Sequence, residues 1–334
     1  MSLGTACGHL TQILAGLAVL AERGELEVAV RPLPPDRWRT DDPVLRVELD
    51  DGQRVAIDLR DGTDVSASDL DWCTGYRKRS YATAAHGGDE RITPLGLNFP
   101  VSHGSDWRAS QVAWTLRRAP LLGPGRTANL LRLLARGQPR LAAFEAGPDA
   151  DDPPGVLLVT RVWDPRRVSG EKAAAWEAMN EQRADCVRAL ADALGERFVG
   201  GLSPSPWAIE RYGDLVLGDR EVRRDRYLAR VRSAAVCVAT SGLRSSNGWR
   251  LAEYLAASRA VVSEPLHHEV PGTLGDGAGL ATFRDADELV RVVQGLLEDP
   301  DRRRALAVAG HEHYRAHVRP DALVRAALGL GSAT

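Results

Sequence analysis

Apolar positions recur at helical spacing near the start of the chain. In GHLTQILAGLAVLAERGELEVAV, Leu10, Ile13, Leu14, Leu17, Leu20 and Ala21 fall on one face between Gly8 and Gly24, and the β-rich EVAV follows. This spacing predicts a loop, a helix and a strand. Seven residues precede Gly8, so the strand that should feed the loop is either very short or the sequence begins inside the domain. VLRVELDDGQRVAIDL contains two alternating runs joined by Asp-Asp-Gly, the signature of a hairpin. A strand near Ile92 to Phe99 and a helix from Trp107 to Arg118 complete a mixed α and β first half.

Between Gly137 and Gly155 the stretch GQPRLAAFEAGPDADDPPG is proline-rich and acidic and has little periodicity, so it reads as a surface linker. The expected organisation is a mixed α and β domain over residues 1–140, a linker over 141–154, a doubly wound Rossmann-like domain over 155–318 and a C-terminal helix over 319–334. The second domain has the clearer pattern. Short apolar strands (GVLLVTRV, RFVGGL, AVCVA, RAVVS, GLATF) alternate with helices at about 170–194, 221–233, 247–257 and 285–297, which implies a parallel sheet covered on both faces. Two further helices, at about 301–316 and 320–328, close the chain.

Composition narrows the functions available. At 334 residues the length allows about two domains. The 43 Lys+Arg nearly cancel the 45 Asp+Glu, so no global field points to nucleic acid or to an anionic membrane surface, and any anion site must be local. Cys7, Cys73, Cys186 and Cys237 are scattered and form no CxxC pair, which argues for reduced thiols in a cytoplasmic protein. No apolar run approaches the roughly 20 residues of a membrane-spanning helix, and no cleavable leader pattern opens the chain.

In open parallel sheets, ligands gather outside the carboxyl ends of strands, where loops enter helices. AVCVA, TSGLRSSNG and WRLAEYLAAS have that form. Ser245, Ser246 and Asn247 suit a helix cap, Gly248 lets a phosphate approach, and Arg244 and Arg250 can add charge. Glu253, the one acid on a small and apolar helical face, would lie just past the first turn, within reach of a ribose. Pattern alone is equally satisfied by an ordinary βαβ unit with Glu253 on a solvated face.

SSNGWRLAEYLAASRAVVSEPL resembles the nucleotide-binding segment of GT-B glycosyltransferases, nearest to the CgeB-like group and more distantly to exostosin-like transferases. The resemblance implies two Rossmann-like domains, residues 1–140 and 155–318, facing across a cleft, with the C-terminal helix 319–334 returning to the first, Ser245, Ser246, Asn247, Gly248 and Arg250 at the donor diphosphate and Glu253 at the ribose. Retaining members carry two glutamates with seven residues between them, and Ser245 stands where the first would be. LLVTRVWDPRRVSGEKAAAW is similar to the first strand and loop of the donor domain, which implies diphosphate contacts from Arg161 and Lys172, and both residues equally suit solvent-facing positions. LEDPDRRRALAVAGHEHY resembles the tail that follows the last sheet helix in these chains. The Gly-His of the first helix resembles the opening of inverting members, which implies that His9 is the catalytic base. Its side chain also suits a helix-capping role.

Three further stretches complete the reading. DLDWCTGYRKRSY mixes basic and aromatic groups; Tyr76, Arg77 and Arg79 are candidate acceptor-side residues, the alternative being a strand edge protected by its charges. HHEVPG is read as a loop with His268 and Glu269 near the donor phosphates. Neither it nor Asp149, Asp151 and Asp152 has metal-ligand spacing, so no metal is implied, and no cofactor beyond a nucleoside-diphosphate sugar as substrate. The expected function is transfer of a sugar from such a donor to a hydroxyl-bearing small molecule, glycan or peptide. The alternatives are a nucleotide-sugar isomerase or hydrolase of the same fold, and a non-catalytic nucleotide-sugar-binding coat protein.

Overall fold

The computed structural model describes residues 2–3, 8–32, 43–104, 137–148 and 155–331, with scattered positions from 112 to 131. The helix expected at 107–118 falls largely outside these residues, as do 149–154 with Asp149, Asp151 and Asp152. The chain forms two compact α/β units. One comprises Met1–Ala143, His268–Pro271 and Arg315–Thr334; the other comprises Phe144–His267 and Gly272–Tyr314.

The first unit holds a six-stranded sheet ordered β2-β1-β3-β4-β5-β6. Its strands are β1 (Ser2–Leu3), β2 (Arg31–Pro32), β3 (Val44–Glu48), β4 (Arg54–Asp58), β5 (Gly75–Lys78) and β6 (Ile92–Pro94). Among the described residues the strand before Gly8 is Ser2–Leu3, and the strand after the first helix is Arg31–Pro32 rather than EVAV. The hairpin forms as its alternation requires: Val47 pairs Val55 in antiparallel register, and Leu45, Val47, Val55 and Ile57 all enter the core. β4, β5 and β6 then run parallel.

Helix Thr11–Glu22 packs its apolar face against the last helix, Pro320–Leu328; Ile13, Leu17, Leu323 and Val324 share one core cluster. Gly16 makes that approach possible, because a Cβ there would lie 2.1 Å from the Pro320 carbonyl oxygen. Gln12 sits fully buried on the same helix. Its amide donates to the Val318 carbonyl at 2.6 Å and its carbonyl accepts from the Phe99 amide at 3.1 Å, so it ties the chain's end to the first helix.

The second unit is doubly wound. Strands β7 (Gly155–Thr160), β8 (Phe198–Leu202), β9 (Ala234–Ala239), β10 (Ala260–Ser263), β11 (Gly275–Asp276) and β12 (Gly279–Thr282) pair in the order β11-β12-β10-β9-β7-β8, all parallel. β9 is buried along its whole length, as a strand covered on both faces must be. Helices Glu171–Leu194, Pro206–Tyr212, Arg224–Arg232, Trp249–Ala256, Ala286–Glu298 and Pro300–His313 belong to this unit. Among them, Pro206–Tyr212 had no counterpart in the periodicity, because seven residues are too few to establish it.

Candidate functional site

Strand order sets where a ligand can enter the second unit. β8 lies on one side of β7 while β9, β10 and β12 extend to the other, so the winding reverses between β7 and β9. At such a reversal the loops leaving two neighbouring strands part and open a crevice at the carboxyl edge. Thr160, ending β7, and Thr240, following β9, meet there with their hydroxyl oxygens 3.1 Å apart.

The loop after β9 is tightly folded. The Gly242 amide donates to the Ser246 carbonyl at 2.6 Å and the Ser246 amide to the Leu243 carbonyl at 3.1 Å. Closing this turn forces Arg244 and Ser245 into the left-handed region, at φ 56° and 57°, where a Cβ is disfavoured. Two consecutive residues of this kind store on the order of 1 kcal/mol or more each. Helix Trp249–Ala256 starts two residues later than its capping pattern suggested. Its cap is Gly248, which has no side chain and whose added Cβ would lie 2.9 Å from the Thr240 carbonyl. Ser245 is exposed and Ser246 and Asn247 are buried, and the cap position falls to Gly248 rather than to any of these three.

Glu253 is neither on a solvated face nor open to a ribose. Its carboxylate is 2% exposed and already engaged: Arg224 spans both oxygens, at 2.5 and 3.2 Å, and the Tyr227 hydroxyl donates at 2.8 Å. Arg224 in turn lies over the rings of Phe144 and Tyr227, and Arg250 lies 4.8 Å from the centre of the Tyr227 ring. With three donors on the carboxylate and 2% of the side chain exposed, a ribose hydroxyl could reach this acid only after a neighbouring group moved aside. The helical register placed Glu253 correctly, but the partner helix Arg224–Arg232 claims the carboxylate.

Arg161 and Lys172 are both exposed, at the end of β7 and in the first turn of helix Glu171–Leu194. The Arg161 guanidinium lies over the Trp163 ring at 4.6 Å, and Trp163 is held in turn: its backbone exchanges two hydrogen bonds with the buried Asn180 side chain, at 2.9 and 2.7 Å, and its ring tilts against Trp176 at 5.9 Å. Lys172, Trp176, Asn180 and Arg183 form one stripe of the helix, spaced by four, four and three residues. Arg183 had been passed over. It is 5% exposed and donates to the carbonyls of both Arg161 and Ser241. Burial lowers its pKa to about 10 and the nearby Glu264 opposes that, so it remains a cation at neutral pH. The sequence did hold a signal for it, a lone cation at the head of the apolar series Ala184, Val187, Leu190 and Leu194.

In the first unit, His9 precedes helix Thr11–Glu22 in a short turn, Gly8–Leu10. Burial, reinforced by the positive charge of Arg79, lowers its pKa to about 4 against the opposing effects of Asp61 and Asn98, so the ring is neutral at pH 7. Arg79 is 4% exposed and bonded to Asp61 at 2.5 Å. The other acceptor-side candidates are committed elsewhere. Tyr76 is fully buried and donates to Asp58 at 2.5 Å, beside the Lys78 ammonium at 3.0 Å from the same oxygen. Arg77 donates to the Ala327 carbonyl at 2.8 Å and to Thr93 at 3.0 Å. β5 is an internal strand, so its run of charges is neither a protected edge nor an open acceptor surface. Glu269 accepts from the Thr83 amide and hydroxyl at 2.8 and 2.9 Å, capping a short helix of the same unit, and His268 is buried. Glu269 is thus taken up by that cap instead of facing a phosphate.

Among the described residues no group of three His, Cys, Asp or Glu side chains could hold a metal ion, and no helix is long and apolar enough to cross a membrane.

Residues 182–329 match the family described as glycosyl transferase-like. Solved structures similar to the chain include the C-terminal domain of a glycosyl transferase group 1 family protein from Francisella tularensis, at 12% identity over 52% of this chain and 94% of that one, TM-score 0.35. Sucrose-phosphate synthase from Thermosynechococcus elongatus shares 18% identity over 96% and 90%, TM-score 0.39. The Anabaena protein HepE in complex with UDP-glucose shares 13% over 59% and 60%, TM-score 0.36. No curated protein matches the chain in sequence.

Proposed function

We propose that this chain, whose residues 182–329 are glycosyl transferase-like, moves a glycosyl group from a nucleoside-diphosphate sugar to a hydroxyl-bearing acceptor. The observation that carries the reading is the carboxyl edge of the second unit, where a helix opened by Gly248 adjoins the reversal point between β7 and β9. A diphosphate placed there meets the positive end of a helix, and the exposed Arg161 and Lys172 supply further charge.

Departure of a nucleoside diphosphate leaves negative charge on the leaving oxygen. Fixed donors lower that barrier most when they need no rearrangement as the charge develops. Arg161, placed over the Trp163 ring, meets that requirement better than a free side chain would. In this reading the backbone of Ser245 to Gly248 and the Arg250 side chain complete the diphosphate site, and Glu253 acts through Arg224 and Tyr227 instead of touching the ribose. His9 takes the acceptor proton: neutral at pH 7, it can accept one, and Asp61 favours the imidazolium that results while Arg79 opposes it.

The test is a thermal-shift panel of UDP, GDP, ADP, CMP and dTDP sugars followed by transfer to mixed hydroxyl acceptors. One nucleotide class at about 100 times its dissociation constant should stabilise the protein by about 2.7 kcal/mol. If no donor shifts the melting curve and none is consumed when acceptors are present, the proposal fails.

A further inference from the structure

Two separate loops leave the strand reversal, Arg161–Gly170 after β7 and Thr240–Gly248 after β9, and a rigid anion site there needs them held in one arrangement. Backbone pairing ends at the strands themselves: β7 and β9 are in register only through Leu157 and Cys237. Beyond the strand ends, side chains must do the holding.

Arg183 is placed to do it. From the middle of helix Glu171–Leu194 its two terminal nitrogens diverge, Nη1 donating to the Arg161 carbonyl in one loop and Nη2 to the Ser241 carbonyl in the other. The Ser241 amide donates to the Glu264 carboxylate at 2.5 Å, which adds the segment following β10, and the Thr160 and Thr240 hydroxyls bridge the same two strand ends. A guanidinium 5% exposed is costly on a helix face that otherwise packs Ala184, Val187 and Leu190 on the sheet, and an apolar side chain there would avoid its desolvation. Such groups persist where they select one conformation over others of similar energy. The conformation selected here is the mutual placement of the two loops. Lysine could not reproduce it, since a single ammonium lacks the planar fork that reaches two carbonyls at once.

We propose that Arg183 is a positioning residue of the donor site: by bonding one carbonyl in each loop it fixes the Arg161 loop against the Ser241–Gly248 loop, so that both face one diphosphate. The diphosphate part of this statement rests on the donor reading; the clamp itself does not. Arg183 carries out no chemistry and touches the donor only through what it holds.

The experiment compares wild type with Arg183→Met and Arg183→Lys, each first checked for native circular dichroism and cooperative unfolding. Hydrogen–deuterium exchange is followed in residues 161–168 and 240–248, with helix Ala286–Glu298 as internal reference. In Arg183→Met both loops should exchange faster together while the reference helix is unchanged, and Arg183→Lys should fall between. Nucleotide-sugar affinity should weaken about 10- to 100-fold in Arg183→Met, the effect expected when binding groups are misplaced by about an ångström, with the acceptor Michaelis constant unmoved. Exchange unchanged in both loops, or accelerated in only one, overturns the clamp. If Arg183→Met does not fold, Arg183→Lys decides on the same criteria. If wild type binds no nucleotide sugar, the donor reading falls, and the exchange data still decide whether Arg183 couples the loops.

Discussion

The Tyr227 hydroxyl donates to the Glu253 carboxylate at 2.8 Å, between two side chains that are 3% and 2% exposed. Together with Arg224 it satisfies an acid that would otherwise be a buried, unpaired charge. Replacing Glu253 by Ala should lower stability by about 2 kcal/mol in chemical denaturation. That is less than the 3 to 5 kcal/mol of a fully buried pair, because Arg224 keeps 36% of its side chain in solvent. Tyr227→Phe should cost about 1 kcal/mol. The double variant should lose less than the sum, since both remove one network; strict additivity would mean that Glu253 and Tyr227 act independently.

Asp58 and Lys78 form a second buried pair, both side chains fully inaccessible, with Arg60 and Tyr76 bonded to the same carboxylate. The two partners are not equivalent. Asp58→Ala strands Lys78 without its carboxylate and should destabilise by about 3 to 5 kcal/mol, whereas Lys78→Met leaves Asp58 with Arg60 and Tyr76 and should cost clearly less. Equal losses in urea unfolding would contradict this asymmetry.

His9 ties stability to pH. Its folded pKa of about 4 lies below the value of an unfolded histidine, so between about pH 6.5 and 4 the unfolded chain binds a proton that the folded chain does not. Stability therefore falls as pH drops through that window, and the full contribution of the neutral ring is present above it. His9→Asn should flatten the decline in melting temperature between pH 6.5 and 4.5. An unchanged slope would place the titration elsewhere.

Gly16 is a steric requirement of the first unit. Gly16→Ala would drive a methyl group into the Pro320 carbonyl and should cost at least 1 to 3 kcal/mol, the range for overpacked cores, despite the better helix propensity of alanine. A stabilised variant would show that helix Pro320–Leu328 does not pack where it is seen.

Ser245 offers the opposite case. Ser245→Gly relieves a left-handed residue and should change stability by at most about +1 kcal/mol, the relief being offset by a freer unfolded chain. If the turn shapes the anion site, nucleotide-sugar affinity should fall in the same variant. Unaltered affinity would separate the turn from the site.

What could be read without coordinates was mainly periodic. Strands of the second unit, the hairpin, the first helix and the helices flanking β9 and β12 follow from spacing, because burial on one or two faces leaves a regular mark. Glu253 was visible as the one acid on an apolar helical stripe and Arg183 as a cation at the head of an apolar series, and only Glu253 was singled out. Their roles were not legible, because what a buried charge does depends on its partner. Glu253 is claimed by Arg224, 29 residues away, and Arg183 by Ser241, 58 residues away. The same limit explains Tyr76 and Arg77. Their mix of basic and aromatic groups was plain, but whether β5 lay at an edge or between two neighbours was a matter of pairing.

Local spacing and backbone preference suffice for the α/β class, the positions of most second-unit elements and the glycine-bearing loop at the carboxyl end of β9. The burial of the ribose candidate against Arg224 and Tyr227, the interior place of the charged run of β5 and the position of Arg183 at the strand reversal emerge with the packed chain alone. Those outcomes depend on which distant groups reach one carboxylate or carbonyl first, and such competition leaves no period in the chain.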